Sequence, residues 1–488
     1  MFHSLIFNLG NGNTIRGRTA GAYRIATELR MSGWDVEVID FFYFWKLEEL
    51  EQLAKSRINQ STKFIGFSHI FTEWPQLAED FCEWLKETYP SITIIFGSNT
   101  YQNLNSKFID YYCAGYSELG LKELLNWLYS NGKRPIITPI DNNKVLSCRD
   151  HYSAAPWRNP MVLYEDRDFL LPVEWLGVEF SRGCKFKCAF CNYPILGVKG
   201  DWSRDADNFE IQMKDVYDRF GNNKYIVADE TFNDRTEKIT KFADVVEKLD
   251  IDAFFMAYLR ADLLISRPKD KEELIRMGVK AHFYGVETFH HEAGKSIGKG
   301  MDPDKMKQGL LDVKKYFKTN SDGRYRATVS MIAGLPHESE DSITDGYNWL
   351  VKNWADQSVI ISPLDIYRSP EINNMALLEK NFENYGYREM TDINEYHDIN
   401  SPGMANGPQF SKDVFIWEND YTNYYRVRRL VNDFRDANHN KFYSGSFNLS
   451  NDLSGKGLDY SLSMLGDDTR EEEQVSFTRQ YIDKKLSY

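Results

Sequence analysis

Short apolar runs alternate with amphipathic stretches from residue 3 to about 130. "SLIFNL", "WDVEVID", "KFIGFSHI" and "SITIIFGS" have strand character, whereas "TAGAYRIATELRMSG", "KLEELEQLAKS", "WPQLAEDFCEWLKETYP" and "LKELLNWLYSNG" carry a helical apolar stripe. Strands separated by helices of this length run parallel, joined by right-handed crossovers with helices on both faces. The pattern predicts an α/β, Rossmann-like parallel-sheet domain over residues 1–132. Ligands of such sheets sit outside the carboxyl ends of the strands, so "NLGNGNTIRGRT", Ser68 and Gly97-Ser98 share one rim. Gly10, Gly12 and Gly17 let backbone approach a ligand there, but GNGNTIRG departs from GxGxxG and reads first as a flexible turn. Asp40 ends the second strand, either as a ribose-binding acid or as a helix cap.

Residues 133–172 hold prolines and little periodicity, and read as a linker. The alternation resumes over 173–370 with "VEWLGVEF", "NKYIVADETFND", "IDAFFMAYLRADLL", "VKAHFYGVETF", "RYRATVSMIAGLP" and "SVIISPLDIY", separated by helical stretches. Six strands of this kind predict a partial (β/α)6 barrel whose active site lines the carboxyl edge. Residues 371–488 read as a mainly helical region that closes the barrel's open side and supplies specificity. Its basic-aromatic "YYRVRRL" reads as a packed helix face with solvated arginines rather than a nucleotide site.

Composition narrows the picture. The chain has 488 residues, 42% of them hydrophobic, enough for packed cores in about three domains. Lys and Arg total 59 against 72 Asp and Glu, a net charge of −13 that disfavours nucleic acid and anionic membranes as partners. No run approaches the ~18 apolar residues of a membrane span, and "MFHSLIFNLGNGNT" lacks a leader pattern, so a cytoplasmic location is expected. Six cysteines, with Cys82, Cys113 and Cys148 scattered singly, do not form a disulfide framework.

The other three cysteines stand together. Cys184, Cys188 and Cys191 follow the first barrel strand with CxxxCxxC spacing, in "SRGCKFKCAFCNYP". Loop-borne thiols this close invite a shared guest, and thiolates favour zinc or iron–sulfur centres. The next forty residues offer no fourth Cys or His to complete a structural zinc site. A [4Fe–4S] cube held by three thiolates would keep one iron open. A chance cluster of free thiols and zinc with a remote ligand stay open as bland alternatives. Lys185 and Lys187 would stabilise thiolates or be merely solvated.

The loop resembles that of the radical S-adenosylmethionine superfamily, which has an aromatic residue before the third cysteine, here Phe190. The resemblance implies a [4Fe–4S] cluster on the three cysteines and S-adenosylmethionine on its open iron. Reductive cleavage would then yield a 5′-deoxyadenosyl radical for methylation, rearrangement or oxidation of a small-molecule, nucleotide or peptide substrate. An external donor of flavodoxin or ferredoxin type would supply the electron. Further matches imply further contacts. "ADETF" offers Asp229 and Glu230 to S-adenosylmethionine or substrate, and "YLRAD" places Arg260 at a polar strand position. "YGVETF" brings Glu287 toward the ribose or amino group, and "IAGLPHES" sets Gly334 and Pro336 at an adenine pocket. Each acid is alternatively a helix cap. "GKSIGKG" has phosphate-loop composition but lacks the preceding GxxxxG, and matches a Lys-Gly turn of the same family.

The first domain resembles the cobalamin-binding domain that precedes many radical enzymes, through Ser68-His69-Ile70, Gly97 and "AGYSE" at 114–118. The family's Asp-x-His-x-x-Gly has no counterpart, since residues 9–20 contain no histidine. Either cobalamin binds without a histidine ligand or the domain serves docking or substrate binding, and His69 reads as a buried histidine. Competing readings are a methylthiotransferase acting on RNA or protein, which needs three N-terminal cluster cysteines, and a non-catalytic iron–sulfur carrier.

Overall fold

The computed structural model describes residues 1–10, 17–69, 74–98, 101, 104–148, 161–191, 202–367, 376–391, 414–437, 442–444 and 471–488. Gly12 and Ile70 of the sequence reading, and residues 371–375, 392–413, 438–441 and 445–470 of the C-terminal region, lie outside these.

The strands in chain order begin with β1 (His3–Gly10), β2 (Gly17–Arg18), β3 (Asp35–Ile39), β4 (Thr62–His69), β5 (Thr93–Ser98) and β6 (Tyr111–Gly115). β7 (Thr138–Ile140) and β8 (Asn143–Cys148) follow. The first sheet has the order β3-β1-β4-β5-β6-β8-β7, with β3 to β6 parallel. Its strands are near-continuous apolar runs because both faces are covered. Tyr23 and Ala26 of the helix Ala20–Arg30 and Leu124 of Glu118–Tyr129 pack with Ile6, Val36 and Phe64. Leu50 and Phe81, from Leu47–Arg57 and Gln76–Thr88, pack with Leu5 and Phe7 on the other face.

β9 (Trp175–Val178) starts the second sheet, and β10 (Ser181–Arg182) pairs antiparallel with β11 (Trp202–Ser203) beside it. β12 (Lys224–Val227), β13 (Phe254–Leu259), β14 (Val279–Glu287), β15 (Arg326–Ala333) and β16 (Ser358–Pro363) complete the six expected strands, parallel and in sequence order. Two strands extend this sheet beyond the expectation. β2 pairs with β9 at one edge and Phe442–Ser444 pairs with β16 at the other, so both flanking regions of the chain contribute to it.

Two further segments depart from the sequence reading. The stretch expected as a linker over 133–172 builds the β7–β8 hairpin, and β8 joins β6 in the first sheet. The C-terminal region reaches both sheets. Its helix Tyr424–Ala437 packs by the second sheet, where the Phe434 ring stacks on Tyr347 at 3.8 Å between centroids. The last helix, Glu471–Ser487, returns to the first sheet, where Phe477, Tyr481 and Ile482 enter the core with Phe41.

Candidate active site

β9 delivers the chain to the cysteine loop at the carboxyl edge of the second sheet. The loop is pinned from two sides through the backbone of Ala189. Its N–H donates to the Ile297 carbonyl at 3.1 Å, and its carbonyl accepts the Leu378 N–H at 2.8 Å. Ile297 of "GKSIGKG" therefore backs the cysteine loop. Cys184, Cys188 and Cys191 are half-buried, and the Cys191 N–H turns back onto the Cys188 carbonyl at 3.1 Å. Thr231 Oγ1 lies 3.7 Å from Cys184 Sγ, and burial pushes that thiol's pKa up. Phe190 packs against the core edge. Lys185 donates to the Asp234 carbonyl at 2.6 Å, so it braces the loop. Among the described residues no three His, Cys, Asp or Glu side chains converge as on a single ion. The donor set is three thiols of one loop, half-buried beside a guanidinium, which fits thiolate ligands to separate irons of a cluster.

That guanidinium is Arg260, at the end of β13. Its Nη1 lies 3.3 Å from Cys188 Sγ, its plane covers Phe186 at 4.0 Å, and Asp262 holds it bidentately at 3.1 and 2.7 Å. A charge-assisted donor on a thiolate offsets negative charge where a cluster would gather it. Glu287, at the end of β14, is buried and takes φ +72°, an uncommon conformation outside glycine. Lys299 faces it at 3.5 Å and donates to the Gly285 carbonyl at 2.5 Å. Burial raises the Glu287 pKa against the pull of Lys299.

The adjacent acids of β12 divide. Asp229 is wholly committed: it accepts the Phe180 N–H at 2.7 Å and the Ser181 hydroxyl at 2.5 Å, with Lys238 at 3.5 Å. It fixes the entry to the cysteine loop. Glu230 accepts the hydroxyl of Tyr116 at 2.9 Å, while its other oxygen is buried without a hydrogen bond among the described residues. Desolvation lifts its pKa to about 7. Because Tyr116 belongs to "AGYSE", that motif lies at the junction of the two sheets. There Glu118 also pairs with Arg182, whose guanidinium covers the Tyr116 ring at 4.2 Å.

The turn after β15 is built by a residue that the sequence reading left unassigned. Glu338, the acid of "GLPHE", accepts the Gly334 and Leu335 N–H groups at 3.0 Å each and the Thr288 hydroxyl at 2.5 Å. Gly334 has φ +93°, and a Cβ there would stand 2.8 Å from the Trp417 ring. Gly334 thus meets the C-terminal region, where Tyr387 donates to its carbonyl at 2.7 Å, and Pro336 is buried. The signal for Glu338 was present in the motif. Tyr116 and Lys299 carried none.

On the first sheet, Ser68 and Gly97 are neighbours in the β4–β5 register at the carboxyl ends. Among the described residues, a Cβ on Gly97 would meet nothing closer than the Phe67 carbonyl at 3.8 Å. His69 is buried against Phe96. Asp40 accepts from Asn8 at 2.7 Å, from Tyr23 at 2.5 Å and from Arg18 at 2.9 Å, which leaves it little capacity for a ribose. Cys82, Cys113 and Cys148 are buried in this domain.

Residues 178–350 match the family model of the Radical SAM superfamily, from the cysteine loop to the helix after the Glu338 turn. Residues 178–350 are therefore a Radical SAM superfamily domain. Over 209 residues it is 22% identical to an uncharacterized methyltransferase, PH0819, of Pyrococcus horikoshii. That match covers 42% of this chain and 44% of the other, so the chain spans less than half of that relative. Among solved structures, the radical S-adenosylmethionine methyltransferase TsrM from Kitasatospora setae, with cobalamin and a [4Fe–4S] cluster bound, is similar over 100% of both chains. The TM-score is 0.68 at 12% identity. The cobalamin-dependent S-adenosylmethionine radical enzyme OxsB, with aqua-cobalamin bound, is similar over 79% of this chain and 56% of its own, with TM-score 0.57 and 16% identity. At these identities the likeness is one of fold, and it extends over both sheets. No helix among the described residues is long and apolar enough to cross a membrane.

Proposed function

We propose that the chain cleaves S-adenosylmethionine reductively at a [4Fe–4S] cluster on Cys184, Cys188 and Cys191, and modifies a small molecule. The observation that carries this is the three-thiol loop at the strand ends, with Arg260 3.3 Å from Cys188 Sγ. Such a cluster, when bound, supplies the electron that opens the carbon–sulfur bond and an iron open to the amino and carboxylate groups of S-adenosylmethionine. This chain's own residues do the positioning. Arg260 donates toward Cys188 Sγ, and the Thr231 hydroxyl lies beside Cys184 Sγ. Lys299 holds Glu287 at the rim, where its carboxylate would meet an ammonium or a ribose hydroxyl. Glu230, with a pKa of about 7 and one unbonded oxygen, is able to hold a proton at the junction with the first sheet.

Cobalamin is the third cofactor of this reading, held at the carboxyl rim of the first sheet by Ser68 and Gly97. With buried His69 and no histidine in residues 9–20, it would sit there without a histidine ligand from that loop. Its presence would favour methyl transfer over the other outcomes, in keeping with the methyltransferases of like fold. A methylthiotransferase fits less well, because Cys82, Cys113 and Cys148 are buried in the core of the first domain. The direct test replaces one ligand. Cys191→Ala is expected to lose the brown chromophore and all formation of 5′-deoxyadenosine after anaerobic reconstitution with iron and sulfide. A brown, active variant would refute the assignment. The corrin absorption band of protein purified from cobalamin-fed cells tests the third cofactor separately.

A further inference from the structure

Tyr258 is 40% exposed, yet it lies on β13 in the middle of the second sheet. Alternate residues explain this. Phe255, Ala257 and Leu259 point outward and pack with Phe242 and Leu274 of the covering helices Thr236–Leu249 and Lys269–Met277. Phe254, Met256, Tyr258 and Arg260 therefore point into the barrel. Phe254 and Met256 form with Trp175 and Ala281 a small apolar cluster separate from the main core, and this is the barrel's floor. Tyr258 stands above it, paired in register with Phe283, the two rings 5.0 Å apart and tilted by 52°. Its exposed surface thus opens on an internal hollow rather than on the outside. Around the same hollow, Ala228 is exposed, and Ser330 and Ile360, paired in register, are half-buried.

Two features specify what the hollow accepts. The Tyr258 hydroxyl has no hydrogen bond among the described residues, and burial alone raises its pKa. The cations nearest the hollow are already answered: Arg260 by Asp262, and Lys299 by Glu287 and the Gly285 carbonyl. A carboxylate buried beside Tyr258 would lack a counter-ion and carry a large desolvation cost. Arg260, the next inward residue of the strand, touches Cys188 Sγ, so Tyr258 lies one strand repeat, about 7 Å, from the cofactor end of the site.

We propose that this hollow is the substrate site and that it takes a neutral, planar, apolar group against Phe283. Tyr258 is its specificity-determining residue, hydrogen-bonding a heteroatom on that group's edge. This rests on the radical SAM reading only in taking the cysteine loop as the cofactor end. The test uses quinoline, naphthalene and 1-naphthoate as probes, titrated by saturation-transfer NMR against full-length, cluster-reconstituted protein with S-adenosylmethionine. Quinoline and naphthalene should bind and 1-naphthoate should not. Tyr258→Phe should weaken quinoline about three- to tenfold and leave naphthalene unchanged, at an unaltered melting temperature. Tyr258→Trp, which fills the hollow, should displace both. Failure of both neutral probes to bind, binding of 1-naphthoate as tight as that of quinoline, or quinoline affinity unmoved in Tyr258→Phe would overturn the proposal. The chromophore and 5′-deoxyadenosine formation, recorded on the same samples, separate its failure from failure of the radical SAM reading.

Discussion

Arg260 illustrates what single residues add to the cysteine motif. It keeps a positive charge 3.3 Å from Cys188 Sγ, and partners of metal ligands commonly affect activity by 10–100-fold. Arg260→Gln should keep iron and sulfide content while moving the cluster potential to more negative values, and should slow 5′-deoxyadenosine formation by about 10–100-fold. Redox titration followed by electron paramagnetic resonance reads both, and an unchanged potential would remove Arg260 from the site. Glu338 gives a pH signature instead. Burial lifts its pKa from 4.5 to about 7, so the folded state holds the proton more tightly than the unfolded chain does. Its contribution to stability is therefore full below about pH 4.5 and is lost as pH rises through about 7. Glu338→Gln should make denaturant-measured stability fall less steeply over that range; Glu230, shifted likewise, keeps part of the slope. The cysteines were legible because thiol spacing is itself chemistry. Asp229 was not, since a strand-end acid reads alike whether it meets a cofactor or, as here, Phe180 N–H, Ser181 and Lys238.

Among the elements, the β2–β9 pair shows how closely the two halves approach. A Cβ on Gly177 would stand 2.6 Å from the Ala20 backbone nitrogen. Gly177→Ala should cost about 1–3 kcal/mol through overpacking, read as a lower denaturation midpoint, with cluster content unchanged once folded. The six barrel strands and their helices were readable from period and length. β2 was not, because two residues cannot display a period. The β7–β8 hairpin hid behind prolines, although its signal was present. Asp141 and Asn142 both take positive φ, 48° and 68°, the two-residue turn that short polar side chains favour.

At the scale of the whole molecule, Arg18 ties three distant regions together. Fully buried, it bonds Glu174 before β9, Asp40 and Tyr23 of the first domain and the Asp168 carbonyl, and its guanidinium covers the Tyr481 ring of the last helix at 5.1 Å. Nearby, Lys485 of that helix is buried against Glu37 at 2.9 Å. Arg18→Met would strand Glu174 and Asp40 without a counter-charge, and a loss of about 3–5 kcal/mol is expected by chemical denaturation. Nothing in the sequence announced this, because partners 156 positions apart leave no local pattern. The frame so braced brings the first sheet's Tyr116 to Glu230, beside the cysteine loop, and the central claim concerns that loop. Its most direct test is electron paramagnetic resonance of the reduced, reconstituted protein, with and without S-adenosylmethionine labelled with 17O in its carboxylate. A [4Fe–4S] signal that shifts and gains 17O hyperfine coupling is the predicted result; a mononuclear ion, or a cluster signal indifferent to the label, would contradict the account.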